Sequence, residues 1–281
     1  MTGPGSEPGD FDPSWLSLRE TADRAARAES LVEPLLTALR PEHTLQVHDL
    51  GSGTGSMPRW LAPRLPGPQH WVLHDHDPAL LAAAVRGCAG LRDADGHPVR
   101  IETRPTDLVR LRPAYLAGAD LVTGSALLDL LTAAELDALA GACAAAGCPA
   151  LLTLSVAGHV EIDPPDPRDV AVTAAFNAHQ RRTVSGRRLL GPDAPAAAAA
   201  AFARHGMDVR TAASPWRLGP DHPELIEQWL TGWVTAAAEQ QPDLRREVTG
   251  YLGDRLRRPI RLTVVVQHRD LLARPVGREL A

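Results

Sequence analysis

Three glycines at every second position, Gly51, Gly53 and Gly55, follow a short apolar run and an aspartate in Val47-His48-Asp49-Leu50-Gly51-Ser52-Gly53-Thr54-Gly55-Ser56. Glycine takes positive φ without a Cβ clash and lets a ligand lie against bare main chain. A turn of this type presents backbone amides to a ligand at the end of a strand. Further along, acids stand just past other apolar runs, at Asp75, Asp107 and Asp129, and Asp120 opens another. A carboxylate in such a place can accept both hydroxyls of a diol in charge-assisted hydrogen bonds. Later, Phe176-Asn177-Ala178-His179-Gln180 gathers hydrogen-bonding groups and a titratable ring beside an aromatic. These residue types suit binding of a small polar ligand, with acid–base groups close at hand.

The elements that must position these groups follow from hydrophobic periodicity. Strands are expected over 45–50, 70–74, 99–103, 119–123 and 150–156, the last a continuous apolar run of the kind buried in a parallel sheet. Helices are expected between them at 57–65, 79–85 and 127–145, with Asp77 capping the second and Pro78 opening it. Strand and helix in alternation with short links argue for an α/β fold, a doubly wound Rossmann-like sheet with right-handed crossovers. Residues 13–42 read as a helical preface with Trp15, Leu18, Ala22 and Ala25 on its apolar side. Pro34 should kink or restart that helix, and Ser30 with Glu33 could form a capping box. Arg19, Asp23, Arg24 and Arg27 on its polar side are either a solvated face or part of a lid whose Arg19 faces a substrate.

After residue 156 the regularity lapses. A loop is expected at 158–169, a helix at 169–182, a second loop at 183–195, a helix at 196–205 and a strand at 209–213. Helical stretches at 223–239 and 244–257 precede a final strand at 261–268. The organisation expected is a disordered tail over 1–12, the preface or lid over 13–42, and one domain over 43–281 with insertions near 157–192 and 219–258.

The totals exclude several classes. The 281 residues carry a formal net charge of -5, so there is no basic footprint of a general nucleic-acid binder. Arg181, Arg182, Arg187 and Arg188 are the one local basic cluster that would suit RNA. Three cysteines, Cys88, Cys143 and Cys148, are odd in number and lack zinc-type spacing, which fits reduced thiols in a cytoplasmic protein. No signal peptide or run of membrane-spanning length is evident, so no membrane partner is expected. His74-Asp75-His76-Asp77 could suggest a metal cluster, but alternation on a strand sends neighbours to opposite faces, and no metal is expected.

Three ligand classes use a glycine turn after a first strand. A phosphate loop needs Lys-Ser or Lys-Thr after its last glycine, and Ser56-Met57 stands there instead. A dinucleotide site wants a third glycine where Ser56 lies. The third class is S-adenosylmethionine. Val47 to Gly55 resembles the first motif of the class I S-adenosylmethionine-dependent methyltransferases. The resemblance extends to Asp75 with its following Asp-Pro-x-Leu-Leu, to Asp107, and to the stretch 120–129 around Ser125. It implies a seven-stranded sheet whose last strand is antiparallel, with Asp75 on the ribose and Asp107 at the adenine. Asp49 would meet the ammonium and the amides around Gly51, Ser52, Gly53 and Gly55 the carboxylate, with His76 and Ser125 in the same motifs. About forty residues separate the last two strands where such a sheet has a near-direct hairpin, which points to extra helices serving the substrate.

The reaction implied is in-line methyl transfer to a small-molecule acceptor, in which positioning and exclusion of water dominate. His179 and Asp129 are the expected acid–base residues, with Arg19, Asn177, Gln180 and Trp216 on the acceptor side. His159 and His268 are weaker, since a lone histidine is more often packing. The alternatives are a non-catalytic S-adenosylmethionine-binding protein and a nicotinamide-dependent oxidoreductase. The oligomeric state is not legible.

Overall fold

The computed structural model describes residues 12–39, 43–108, 113–257 and 261–276. The expected tail, apart from Asp12, and residues 40–42 of the preface lie outside them. The chain begins with α1 (Pro13–Ala26) and α2 (Val32–Ala38). It then alternates through β1 (Leu45–Leu50), α3 (Ser56–Leu61), β2 (Gln69–Asp75), α4 (Pro78–Gly87), β3 (Arg100–Pro105), β4 (Leu121–Ser125), α5 (Ala133–Ala146) and β5 (Ala150–Asp163). There follow α6 (Asp169–Gln180), a small hairpin of β6 (Thr183–Val184) and β7 (Arg187–Arg188), α7 (Ala194–Arg204), β8 (Met207–Ala213) and β9 (Trp216–Leu218). Two further helices, α8 (Pro223–Gln240) and α9 (Arg245–Arg255), lead into β10 (Thr263–Pro275).

The main sheet runs β3-β2-β1-β4-β5-β10-β8, with β9 also paired to β10. The first five strands are parallel, and β10 lies antiparallel between β5 and β8. The seven positions and the one reversed strand are those the resemblance implies. The outermost position is filled by two segments, because β8 and β9 pair with successive stretches of β10. The 49 residues between β8 and β10 do not displace the last strand. Their helices stack beyond the sheet while β10 returns to its slot.

Local chemistry accounts for the boundaries. All seven residues of β2 are buried, as expected of a parallel strand covered on both faces. Asp77 accepts from the Ala79 amide at 2.7 Å and Pro78 opens α4. α5 starts later than the 127–145 expectation, because Thr132 and Glu135 form a reciprocal capping box. It ends on Gly147 at φ 68.

Three expectations are corrected. The preface breaks at Arg27-Ala28 and not at Pro34, which lies in the first turn of α2, where a missing N–H costs nothing. Ser30 and Glu33 form no capping box there, since no side chain caps α2. The first half of the expected loop at 158–169 is strand, because β5 outlasts β4 and pairs Val160–Asp163 with 263–266 of β10.

Asp270, 1% exposed on β10, holds these parts together. It accepts from the Ala28 amide at 2.8 Å, the Leu154 amide at 2.7 Å and the Ser214 hydroxyl at 2.5 Å. One carboxylate thus ties the preface, the middle of β5 and the break between β8 and β9 to a single strand. Leu154 sits at φ 57 beside register shifts in β10, so the ribbon bends there. Above the bend a separate aromatic cluster, with Trp15, Trp216, Trp229, Trp233 and Tyr251, packs α1, α8 and α9 on the outer halves of β5 and β10.

Candidate functional site

The sheet order reverses at β1, which has β2 on one side and β4 on the other. A crevice is expected at the carboxyl ends there. Gly51, Gly53 and Gly55 all adopt positive φ, at 62, 52 and 83°. Gly53 donates to Asp75 Oδ2 at 2.8 Å, and the Asp77 amide donates to Asp75 Oδ1 at 3.0 Å. Asp75 therefore stitches the glycine turn to the end of β2. Oδ2 keeps a lone pair for a further donor, while His76 Nδ1 lies 3.4 Å from Oδ1.

Asp49 faces Thr123 across the β1–β4 register and accepts its hydroxyl at 2.7 Å. Its other oxygen is buried without a partner, as is the Ser52 hydroxyl. Burial pushes the Asp49 carboxyl up to about 7. Buried polar atoms left unpaired are rare in folded proteins and mark places where a ligand group would complete the bonding. Arg27, 3% exposed, donates to the Ser56 and Ser125 hydroxyls at 3.0 and 3.2 Å. Burial lowers its pKa.

A cavity of about 590 Å³ opens over this turn. Asp49, Gly51, Ser52 and Gly53 line it from β1 and the turn; Asp75, His76, Asp107 and Ser125 line it from the ends of the neighbouring strands. Gly55 does not line it. A Cβ there would meet Cys88 Sγ at 3.1 Å and the Ala84 Cβ at 3.2 Å, so this glycine serves the packing of α3 on α4. The histidines flanking Asp75 separate as alternation requires. His74 is buried against His48, with 3.1 Å between ring nitrogens, and burial pushes both rings down to about 4. His76 is exposed at the cavity.

A second cavity, of about 880 Å³, adjoins the first. Arg19, Ala126 and Leu130 line both. Ala126 holds φ 51 at the end of β4, a strained conformation for a residue with a Cβ and one that clusters at functional sites. Four of the six tryptophans, Trp15, Trp216, Trp229 and Trp233, wall the second cavity. Buried polar atoms without partners recur here: Trp15 Nε1, Trp233 Nε1, Gln180 Oε1 and His268 Nδ1.

The acceptor-side residues divide. Arg19, Asp129, His179, Gln180 and Trp216 all line the second cavity, although they come from four separate parts of the chain. Asn177 lines neither cavity; its amide donates to the Gly158 carbonyl at 2.7 Å and clamps α6 to β5. His159 also stays outside, beside Glu161 at 3.2 Å. His179 reaches the cavity but is already engaged. Arg182 donates to its Nδ1 at 3.2 Å, and arginine has no acceptor, so the ring proton sits on Nε2, 3.2 Å from Glu239. His179 thus reaches the cavity with both ring nitrogens engaged, between Arg182 and Glu239. Burial lowers its pKa further. Asp129 differs, since loss of hydration raises its carboxyl to about 6, a value suited to a base near neutral pH.

The solvated-face reading of α1 is also corrected. Arg19, Asp23 and Arg27 are buried, and only Arg24 is exposed. Arg19 pairs with Asp23 through Nε at 2.9 Å and a terminal nitrogen at 3.1 Å. Its guanidinium lies 4.8 Å from the Trp216 ring centroid, and the Trp216 indole donates to Asp23 at 2.9 Å. The arginine cluster at 181–188 disperses, because Arg181 pairs with Asp193, Arg187 with Glu135, and Arg182 turns to the cavity. The burial of Asp23 and Arg27 and the cavity positions of Arg182, Trp229 and Trp233 were not legible in the sequence. The tryptophans at i and i+4 were the one available signal, and it reads equally as core.

No protein-family model matches the chain, and no curated protein does. Among solved structures, it is similar to a cyclopropane synthase from Mycobacterium tuberculosis, at 12% identity over 87% of this chain and 83% of that one, with a TM-score of 0.47. It is similar to a phosphoethanolamine N-methyltransferase of Haemonchus contortus, solved with S-adenosylhomocysteine, at 13% identity over 95% and 58%, with a TM-score of 0.47. A magnesium protoporphyrin IX methyltransferase from Synechocystis, solved with S-adenosylmethionine, is 14% identical over 72% and 73%, with a TM-score of 0.40. Among the described residues no helix is long and apolar enough to cross a membrane.

Proposed function

We propose that the chain is a cytoplasmic S-adenosylmethionine-dependent methyltransferase acting on a small molecule. The observation that carries this reading is the meeting of two cavities at Arg19, Ala126 and Leu130. One chamber offers bare amides and carboxylates suited to an amino acid and a ribose; the other is aromatic and large enough for an acceptor. S-adenosylmethionine would supply a methyl group already activated on a sulfonium. The protein's task is then to orient, to exclude water and to remove a proton. Asp75 holds the diol, Asp49 and the turn amides hold the amino-acid end, and Asp107 stands at the base-binding side. Leu16, Arg19 and Asp23 of α1 cover the first chamber while Trp15 covers the second, so α1 acts as the lid.

Calorimetric titration tests the reading: S-adenosylmethionine is expected to bind and NAD is not, and binding of NAD alone would overturn it. Release of S-adenosylhomocysteine from cofactor and cell extract would separate catalysis from mere binding. Asp75→Ala is expected to weaken cofactor binding by more than about tenfold, since it removes two charge-assisted acceptors at once. An unchanged affinity would reject the ribose role.

Cofactor binding should also depend on pH. The Asp49 carboxyl ionises at about 7, and only its carboxylate attracts an ammonium. Affinity is therefore expected to fall as pH drops below 7, by up to about tenfold per unit where the protonated acid must give up its proton on binding. Asp49→Asn should flatten that dependence, and an unaltered pH profile in the variant would remove Asp49 from the role.

A further inference from the structure

We propose that the second cavity is built for an acceptor that carries a basic amine on a flat apolar body. The proposal deepens the methyl-transfer reading and rests on it for the word acceptor; the cavity's ligand preference stands on its own observations. Four tryptophans and Phe176 stand in its apolar wall beside aliphatic residues such as Leu154, Val160 and Val266, in a chain with only 4% aromatic residues. Tryptophan faces attract cations as well as flat apolar surfaces.

Charge decides the second half of the proposal. Leaving aside Glu227, which has a partner of its own, four carboxylates line the cavity, those of Asp12, Asp129, Glu224 and Glu239, against the guanidiniums of Arg19 and Arg182. Arg19 is already matched by Asp23 at 2.9 and 3.1 Å. Arg182 directs NH1 at the ring and the carbonyl of His179. Burial lowers the pKa of His179 and His268, so neither ring supplies a positive charge at neutral pH. Gln180 adds a buried oxygen without a partner, which calls for a donor. An anionic acceptor would meet surplus carboxylates; a cationic one is attracted by them and by the indole faces.

The same surplus favours transfer to nitrogen. The amine, once deprotonated, uses its lone pair to form the new N–C bond, while the C–S bond breaks with its electrons left on sulfur. The positive charge passes from the sulfonium to the acceptor, where the carboxylates stabilise it. Asp129, just past β4, is placed to take the proton beforehand.

Tryptamine and indole-3-acetate share one ring system and carry opposite charges, so they separate shape from charge. With the full chain at neutral pH and low salt, calorimetry is expected to show tryptamine binding at least about tenfold more tightly. The preference should fall at least about threefold in Glu224→Gln/Glu239→Gln, a double variant at two exposed positions. Equal binding, tighter binding of indole-3-acetate, or binding of neither probe would overturn the proposal. A parallel titration with S-adenosylmethionine separates the two readings. Amine preference without cofactor binding would remove methyl transfer and keep the cavity's chemistry, while cofactor binding with a carboxylate preference would do the reverse.

Discussion

Asp129→Asn is expected to lower kcat by about 10²–10⁴-fold, the range that a positioned acid or base contributes. Affinity for S-adenosylmethionine should change by less than about twofold, because Asp129 lines only the second cavity. The carboxyl ionises at about 6 and must be ionised to accept a proton. The wild-type rate is therefore expected to fall as pH drops below 6 and to level off above it. The variant should lose that limb, and a variant retaining both the rate and the acid limb would remove Asp129 from the chemistry. Steady-state kinetics against pH, with the acceptor identified, is the measurement required.

Trp233→Ala is expected to destabilise the fold by about 3–5 kcal/mol, the cost of emptying a large aromatic site in a core. The indole is fully buried. It stacks on Trp229 at 5.2 Å between centroids and touches Phe176 and Tyr251, each at 6.5 Å. These partners come from α6, α8 and α9, so the loss is felt where the wall of the second cavity is assembled. Against a total stability of about 5–15 kcal/mol, the change should be plain in urea denaturation as a lower midpoint with an unaltered slope. A shift under about 1 kcal/mol would mean that the aromatic cluster collapses around the gap. Trp233→Phe keeps most of the ring and is expected to recover more than half of the loss.

The cofactor-side chamber was legible because its parts are local. Gly51 and Gly53 need positive φ next to a strand end, and Asp75 must follow the neighbouring strand. Such requirements write themselves into spacing, and eight of the nine residues expected there line the cavity. Gly55 has the same positive φ but packs α3 on α4 instead of lining the cavity, and spacing does not tell a ligand from Cys88. The acceptor side was only half legible. Asn177 and His179 stand two apart with similar polarity, yet one clamps a strand and the other reaches the cavity. The polar stripe of α1 looked solvated because periodicity records which face is polar. It does not record that Asp23 and Trp216, 193 residues apart, would meet over Arg19.

The sequence by itself determined the alternation of strand and helix, the glycine turn and the acids that follow it, because each depends on neighbours within a few residues. Tertiary structure alone decided three things. It extended β5 past its parallel partner, since pairing with β10 rewards a strand that local propensity leaves open. It buried Arg19, Asp23 and Arg27 of the preface, pairing Arg19 with Asp23 and tying the next residue's amide, that of Ala28, to Asp270. It also brought tryptophans from opposite ends of the chain around one cavity. All three are contacts between residues far apart in the chain, and burial of charge or an aromatic wall is a property of such contacts, not of spacing.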